Sequence, residues 1–218
     1  MLPEHLEISY KTLLTRGLDF VITDVQNFDH ETGILLGRPF EFNKTDAVIS
    51  DKNVALQRIG WITDDFLGKR QIVEDIKFNE NIVDGDEYNF FIKMLQRSPK
   101  GEFVDHVLTH RRMHSNSISL INRENEINYL SIVATIKYQT AKDLIVFENR
   151  ELIRWFLSGY MQYAFKLALN KQKIPFCKDA YFLICQYYSF SKGVAFFMAL
   201  KFGKYFRKGY NIMKYARK

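Results

Sequence analysis

Two short segments carry the side chains best suited to chemistry. Gly85-Asp86-Glu87-Tyr88-Asn89-Phe90-Phe91 puts two carboxylates where a turn passes into a helix. His110-Arg111-Arg112-Met113-His114-Ser115-Asn116-Ser117-Ile118-Ser119 puts a guanidinium and an imidazole at the end of a strand. A carboxylate at a helix start is fixed by the first unpaired N–H groups and can accept a proton from an attacking hydroxyl. Arg112 and His114 are two apart, so on a strand they point to the same face. Arginine grips phosphate oxygens with a two-pronged geometry, and a neutral histidine nitrogen ligates divalent metals. Ser117 and its polar neighbours suit phosphate contacts or a plain loop. Together these are the parts needed to move a group off a diphosphate. Taken singly, each segment reads as something plainer: an ordinary helix N-cap and a solvated basic strand end.

The elements that position these groups follow from periodicity and punctuation. Pro3 suits a first helical turn, Leu6, Tyr10, Leu13 and Leu14 recur at helical spacing, and Gly17 stops the run. Leu18 to Asp24 reads as a buried strand, and residues 27–52 as a long loop. Phe66–Glu74 is predicted helical, Glu87–Gln96 helical with Phe90, Phe91, Met94 and Leu95 on its apolar side, and Phe103–Arg112 a strand. Residues 124–170 read as helix throughout, with a stripe of Leu152, Phe156, Tyr160, Tyr163 and Leu167. Two more helical stretches follow, near 177–190 and 194–216. An α/β region therefore gives way to an all-helical one near residue 120.

The order and spacing of these segments resemble the C-terminal half of family 2 glycosyltransferases. Leu2-Pro3-Glu4-His5-Leu6-Glu7 through Phe20-Val21-Ile22-Thr23-Asp24 looks like the helix and strand that follow the family's metal-binding Asp-x-Asp loop. Phe66-Leu67-Gly68-Lys69-Arg70-Gln71-Ile72, Ile76 to Asn81 and Gly85-Asp86-Glu87-Tyr88 are similar to its acceptor-side segment and acidic motif. Arg112-Met113-His114 with Ser117 and Ser119 resembles its closing Arg-x-His and Ser signature. The resemblance implies a partial GT-A-like mixed sheet over 1–120 and an inverting sugar transfer from a nucleotide-sugar donor to a glycan or lipid-linked acceptor, as in bacterial surface polysaccharide synthesis. It makes Asp86 or Glu87 the base: by position Glu87, by residue type Asp86, since the family reads Gly-Glu-Asp. It puts Arg70, Arg112 and Ser117 on substrate and diphosphate, and His114 on the metal. A divalent ion, Mn²⁺ or Mg²⁺, is expected for the complete enzyme. Its Asp-x-Asp ligands and the nucleotide-binding half are absent from this chain, and Asp64-Asp65 follows the wrong elements to replace them. The expectation is a truncated or split enzyme, inactive alone or dependent on a partner chain. The alternative is a non-catalytic membrane-surface or protein-binding module that keeps a decayed transferase fold.

Composition bounds the remainder. With 218 residues, 47% of them hydrophobic, the chain can bury a sizeable core. Cys177 and Cys185 lack metal-ligand spacing and no secretory signal precedes them, so they read as reduced thiols of a cytosolic protein. Of the formal net charge of +6, the stretch from Ala180 to Lys218 contributes eight basic residues and no acidic one, leaving about −2 on the first 179 residues. The span 180–200 is too polar for a good transmembrane helix. The residues after it put lysines on one stripe and Phe202, Tyr205, Phe206 and Met213 largely on another. That pattern suits the anionic inner face of a cell membrane, or equally a helix packing its aromatic side on the domain. No nucleic-acid-binding signature is present.

Overall fold

The computed structural model describes the backbone of all 218 residues and every side chain except those of Ile118 and Ser119. The chain is mixed α/β and divides into two compact units, one formed by Met1–Phe78 and Glu87–Ser117, the other by Asn79–Asp86 and Ile118–Lys218. The segment Asn79–Asp86 thus goes with the helical unit, whereas its sequence position groups it with the α/β half.

The first unit is built on a three-stranded sheet in the order β2-β1-β3. β1 (Phe20–Asp29) is central, antiparallel to β2 (Phe66–Gly68) and parallel to β3 (Gly101–Met113). Phe20, Val21, Ile22 and Val25 are fully buried, as a strand covered on both faces requires. Phe20 lies opposite Gly101, and a Cβ at Gly101 would fall 2.1 Å from the Phe20 ring, so the strands meet here only because position 101 is glycine. Further along, the β1–β3 register shifts on both sides of Asp24. Such irregularities bend a strand and re-aim its side chains.

Helix α1 (His5–Thr15) packs on the sheet, α2 (Asp51–Ala55) is capped by Ser50, and α3 (Asp86–Leu95) buries Phe90, Phe91, Met94 and Leu95. Phe91 joins Trp61 and Phe66 at ring distances of 4.8 and 5.4 Å, an aromatic core under the start of α3. The helix predicted over 66–74 does not form. Phe66 and Leu67 pair with β1, and Arg70–Ile72 follows as a single 3-10 turn. Cross-strand pairing to a buried partner outweighs the local helical spacing.

In the second unit, α4 (Ile118–Glu124), α5 (Glu126–Asp143) and α6 (Arg150–Leu169) precede α7 (Cys177–Tyr187), α8 (Phe190–Phe206) and α9 (Tyr210–Arg217). Asn125 and Asn149 cap α5 and α6 through their side-chain oxygens. The unbroken helix expected over 124–170 is interrupted where Leu144–Phe147 tightens into a 3-10 turn and Glu148 turns left-handed. Leu152, Phe156, Tyr160 and Leu167 are buried along α6 as expected, and Tyr163 is half-buried. The final helix expected over 194–216 is two helices, because Arg207 and Gly209 both adopt positive φ. Among the described residues no helix is long and apolar enough to cross a membrane.

Candidate functional site

Residues Thr63–Asp65 form one 3-10 turn beside the sheet. Two strands hold it in place. The Thr23 hydroxyl on β1 donates to the Asp65 carbonyl at 3.3 Å, and the Thr109 hydroxyl on β3 donates to the Asp64 carbonyl at 3.2 Å. The turn in turn holds Glu87. The Thr63 backbone N–H donates to Glu87 Oε1 at 3.1 Å, and the Thr63 hydroxyl donates to the same oxygen. Among the described residues Oε2 has no hydrogen-bond partner, and no cation pairs with Glu87. Tyr88, next on α3, donates its hydroxyl to the Ala55 carbonyl at 2.9 Å and fixes the helix start against α2.

Two further carboxylates lie within electrostatic reach of Glu87 or of each other. Asp65 is almost wholly buried and accepts the Ile62 N–H at 3.2 Å. Loss of water pushes its carboxyl up to about 8, with the charges of Glu87 and Asp24 acting in the same direction against the Ile62 hydrogen bond. Near neutral pH Asp65 therefore holds its proton. Asp24 is also fully buried, but cations surround it: Arg38 Nη1 at 2.5 Å and Lys44 Nζ at 3.0 Å, with the Val25 N–H at 2.8 Å. Arg38 also reaches Asp105 at 3.1 Å. One buried acid is neutralised by pairing and the other by protonation.

The residues singled out from sequence fall in several places. Asp86 opens α3 and Glu87 follows it onto the Thr63 turn. Arg70 is exposed at the start of its 3-10 turn, with Glu74 at 3.6 Å. Arg112 is exposed near the end of β3, opposite Phe28 of β1. His114 follows the strand, its ring 6.4 Å from that of His30, and its carbonyl accepts the Ser117 N–H at 3.2 Å. Ser117 is half-buried, while the side chain of Ser119 lies outside the described residues. Among the described residues no hydrogen bond or ion pair joins Glu87 to Arg112 or His114. Nor, among them, do three or more His, Cys, Asp or Glu side chains gather where a metal ion would be held. His114 with His30 alone does not make such a site. A polar cavity of about 420 Å³ opens along β3 between Arg16, Lys44, Glu102, Asp105 and His106, away from every residue singled out from sequence.

Sequence reasoning missed Thr63, Asp65, Arg38 and Lys44 as parts of the site. One signal was present: an aspartate inside the apolar run Phe20-Val21-Ile22-Thr23-Asp24-Val25 has to find cationic or hydrogen-bonding partners. No family model, curated protein or solved structure matches this chain.

Proposed function

We propose that this chain supplies the acceptor-side, catalytic half of an inverting nucleotide-sugar glycosyltransferase, with Glu87 as the base. The observation that carries the reading is the way Glu87 is held. One carboxylate oxygen is fixed by two donors from a turn clamped to the central sheet, and the other is left open, at the first turn of a helix. That is the geometry a proton acceptor needs.

In this reading the acceptor hydroxyl gives its proton to Glu87 as its oxygen forms the bond to the anomeric carbon. The bond from that carbon to the diphosphate oxygen breaks, and the electron pair leaves with the nucleoside diphosphate. Attack opposite the leaving group inverts the anomeric centre. Arg112, exposed at the end of β3, meets the leaving charge, with His114 and Ser117 in the turn beyond it. The reading pairs this chain with a nucleotide-binding half that holds the donor. No cluster of three or more His, Cys, Asp or Glu side chains gathers among the described residues for the divalent ion of this reading, and His114 is the residue of this chain assigned to it.

The test is complementation. The chain is co-expressed with the nucleotide-binding half of a family 2 transferase, and nucleoside diphosphate release is measured over a panel of sugar nucleotides and acceptors. Turnover is expected only with both halves, with Glu87→Gln lowering it about 10²- to 10⁴-fold and Asp86→Asn doing far less. Full turnover in Glu87→Gln refutes the assignment.

A further inference from the structure

Helix α8 is apolar on the side that packs and also on the side that does not. Gly193, Phe196, Ala199, Leu200 and Gly203 are buried, and a Cβ on Gly193 would fall 2.2 Å from Cys185 Sγ, so α8 lies tightly on α7. On the other side, Phe190, Val194, Met198, Lys201 and Tyr205 follow one another at helical spacing and all are exposed, Phe190 to 71%. A surface helix of a globular domain normally turns polar residues outward. Beside this face, Cys177, Tyr181 and Phe182 of α7 and Val194, Phe197 and Met198 of α8 enclose an apolar groove of about 540 Å³. Tyr205, 63% exposed, carries the face beyond the groove.

The charge around this face is predominantly positive. Across α7, α8 and α9 the sole acidic residue is Asp179. Lys192 and Arg217 are used inside the fold, donating to the Tyr215 and Ser158 carbonyls at 2.6 and 3.0 Å. Lys178, Lys201, Lys204, Arg207 and Lys208 stay exposed near the groove and the end of α8, with Lys201 5.3 Å from the Phe197 ring centre. Aromatic rings interleaved with uncompensated cations match one environment: anionic headgroups for the cations and the headgroup–acyl boundary for the rings. No described helix is able to span, so contact is from the surface.

We propose that α7 and α8 form a peripheral docking face for an anionic lipid bilayer, Phe190, Phe197 and Tyr205 entering the boundary while Lys201, Lys204, Arg207 and Lys208 meet the headgroups. The proposal stands independently of the transferase reading. It is tested by co-sedimenting the full chain with vesicles of phosphatidylcholine alone and of phosphatidylcholine with phosphatidylglycerol. Binding is expected only to the anionic vesicles and should weaken with salt. Lys201→Gln with Lys204→Gln should lower the partition coefficient about 25-fold. Phe190→Ser with Phe197→Ser, both at exposed positions, should lower it about tenfold or more. Absence of binding to anionic vesicles, or equal binding to both compositions with the lysine variant unchanged, overturns the proposal. So does a concentration-dependent dimer, seen by sedimentation equilibrium, that the two phenylalanine changes abolish while vesicle binding is unaffected, since that would give the face to a second copy of the chain.

Discussion

Asp65 offers the sharpest test of how the site is organised, because replacing it should stabilise the protein. Its carboxyl is pushed up to about 8 from an ordinary 3.8, chiefly by burial. Between those two values the folded chain holds a proton that the unfolded chain releases, so stability falls as pH rises, by about 1.4 kcal/mol per pH unit. The sign follows from the raised folded-state value. Stability is fully present below the unfolded value and is lost progressively up to the folded one. At pH 7 the accumulated cost is about 4 kcal/mol. Asp65→Asn keeps an oxygen to accept the Ile62 N–H and never ionises. The variant should therefore exceed the parent in stability by about 1–2 kcal/mol at pH 5 and about 4 kcal/mol at pH 7, the gain levelling off above pH 8.

The readout is selective. Trp61 lies in the first unit and Trp155 in the second, and the chain has 2 tryptophans, so a Trp155→Phe background makes Trp61 fluorescence report the first unit alone. Urea unfolding of the parent and of the Asp65→Asn variant, both in that background, is then compared from pH 5 to pH 9. Taking the difference between the two cancels the titrating groups that do not interact with Asp65, leaving its own titration and its interaction with Glu87 and Asp24. A difference that stays flat with pH would refute the reasoning, because it would mean that Asp65 titrates normally and water reaches it.

Two further outcomes test the surroundings of the site. Asp24→Ala leaves Lys44 buried without its counter-ion and Arg38 with Asp105 alone, and should cost about 3–5 kcal/mol in the same urea experiment. Gly101→Ala forces a methyl group into the Phe20 ring and should cost about 1–3 kcal/mol, seen as a lowered Tm in a thermal melt.

The elements were more legible than their faces. Helical spacing located α1, yet Leu6, Tyr10 and Leu14 are exposed while His5, Ser9 and Leu13 are buried. The period was readable, but which side meets the sheet depends on partners distant in sequence. β1 was visible as a dense apolar run, α3 by its helical spacing and β3 by its alternation. β2 was not, because a three-residue strand has no period of its own and exists by pairing with Phe20, Val21 and Ile22. The same limit hid much of the site. Arg38 and Lys44 sit in a long loop with no pattern, 14 and 20 positions from the carboxylate they neutralise. Glu87 was visible as a carboxylate at a helix start, but the turn that holds it is brought alongside by the fold.

How charge is distributed separates a reactive carboxylate from an ordinary cap. Arg38 and Lys44 are both committed to Asp24, and Arg38 is shared with Asp105. Asp65 stays neutral by keeping its proton. Among the described residues Glu87, like Asp65, is held by neutral donors without a cation, but Glu87 is half-buried where Asp65 is almost wholly buried. A carboxylate that serves only to cap a helix spends its oxygens on that helix's own first N–H groups. Glu87 instead spends one oxygen on a different segment and leaves the other open, next to a buried acid that keeps the local negative charge from doubling.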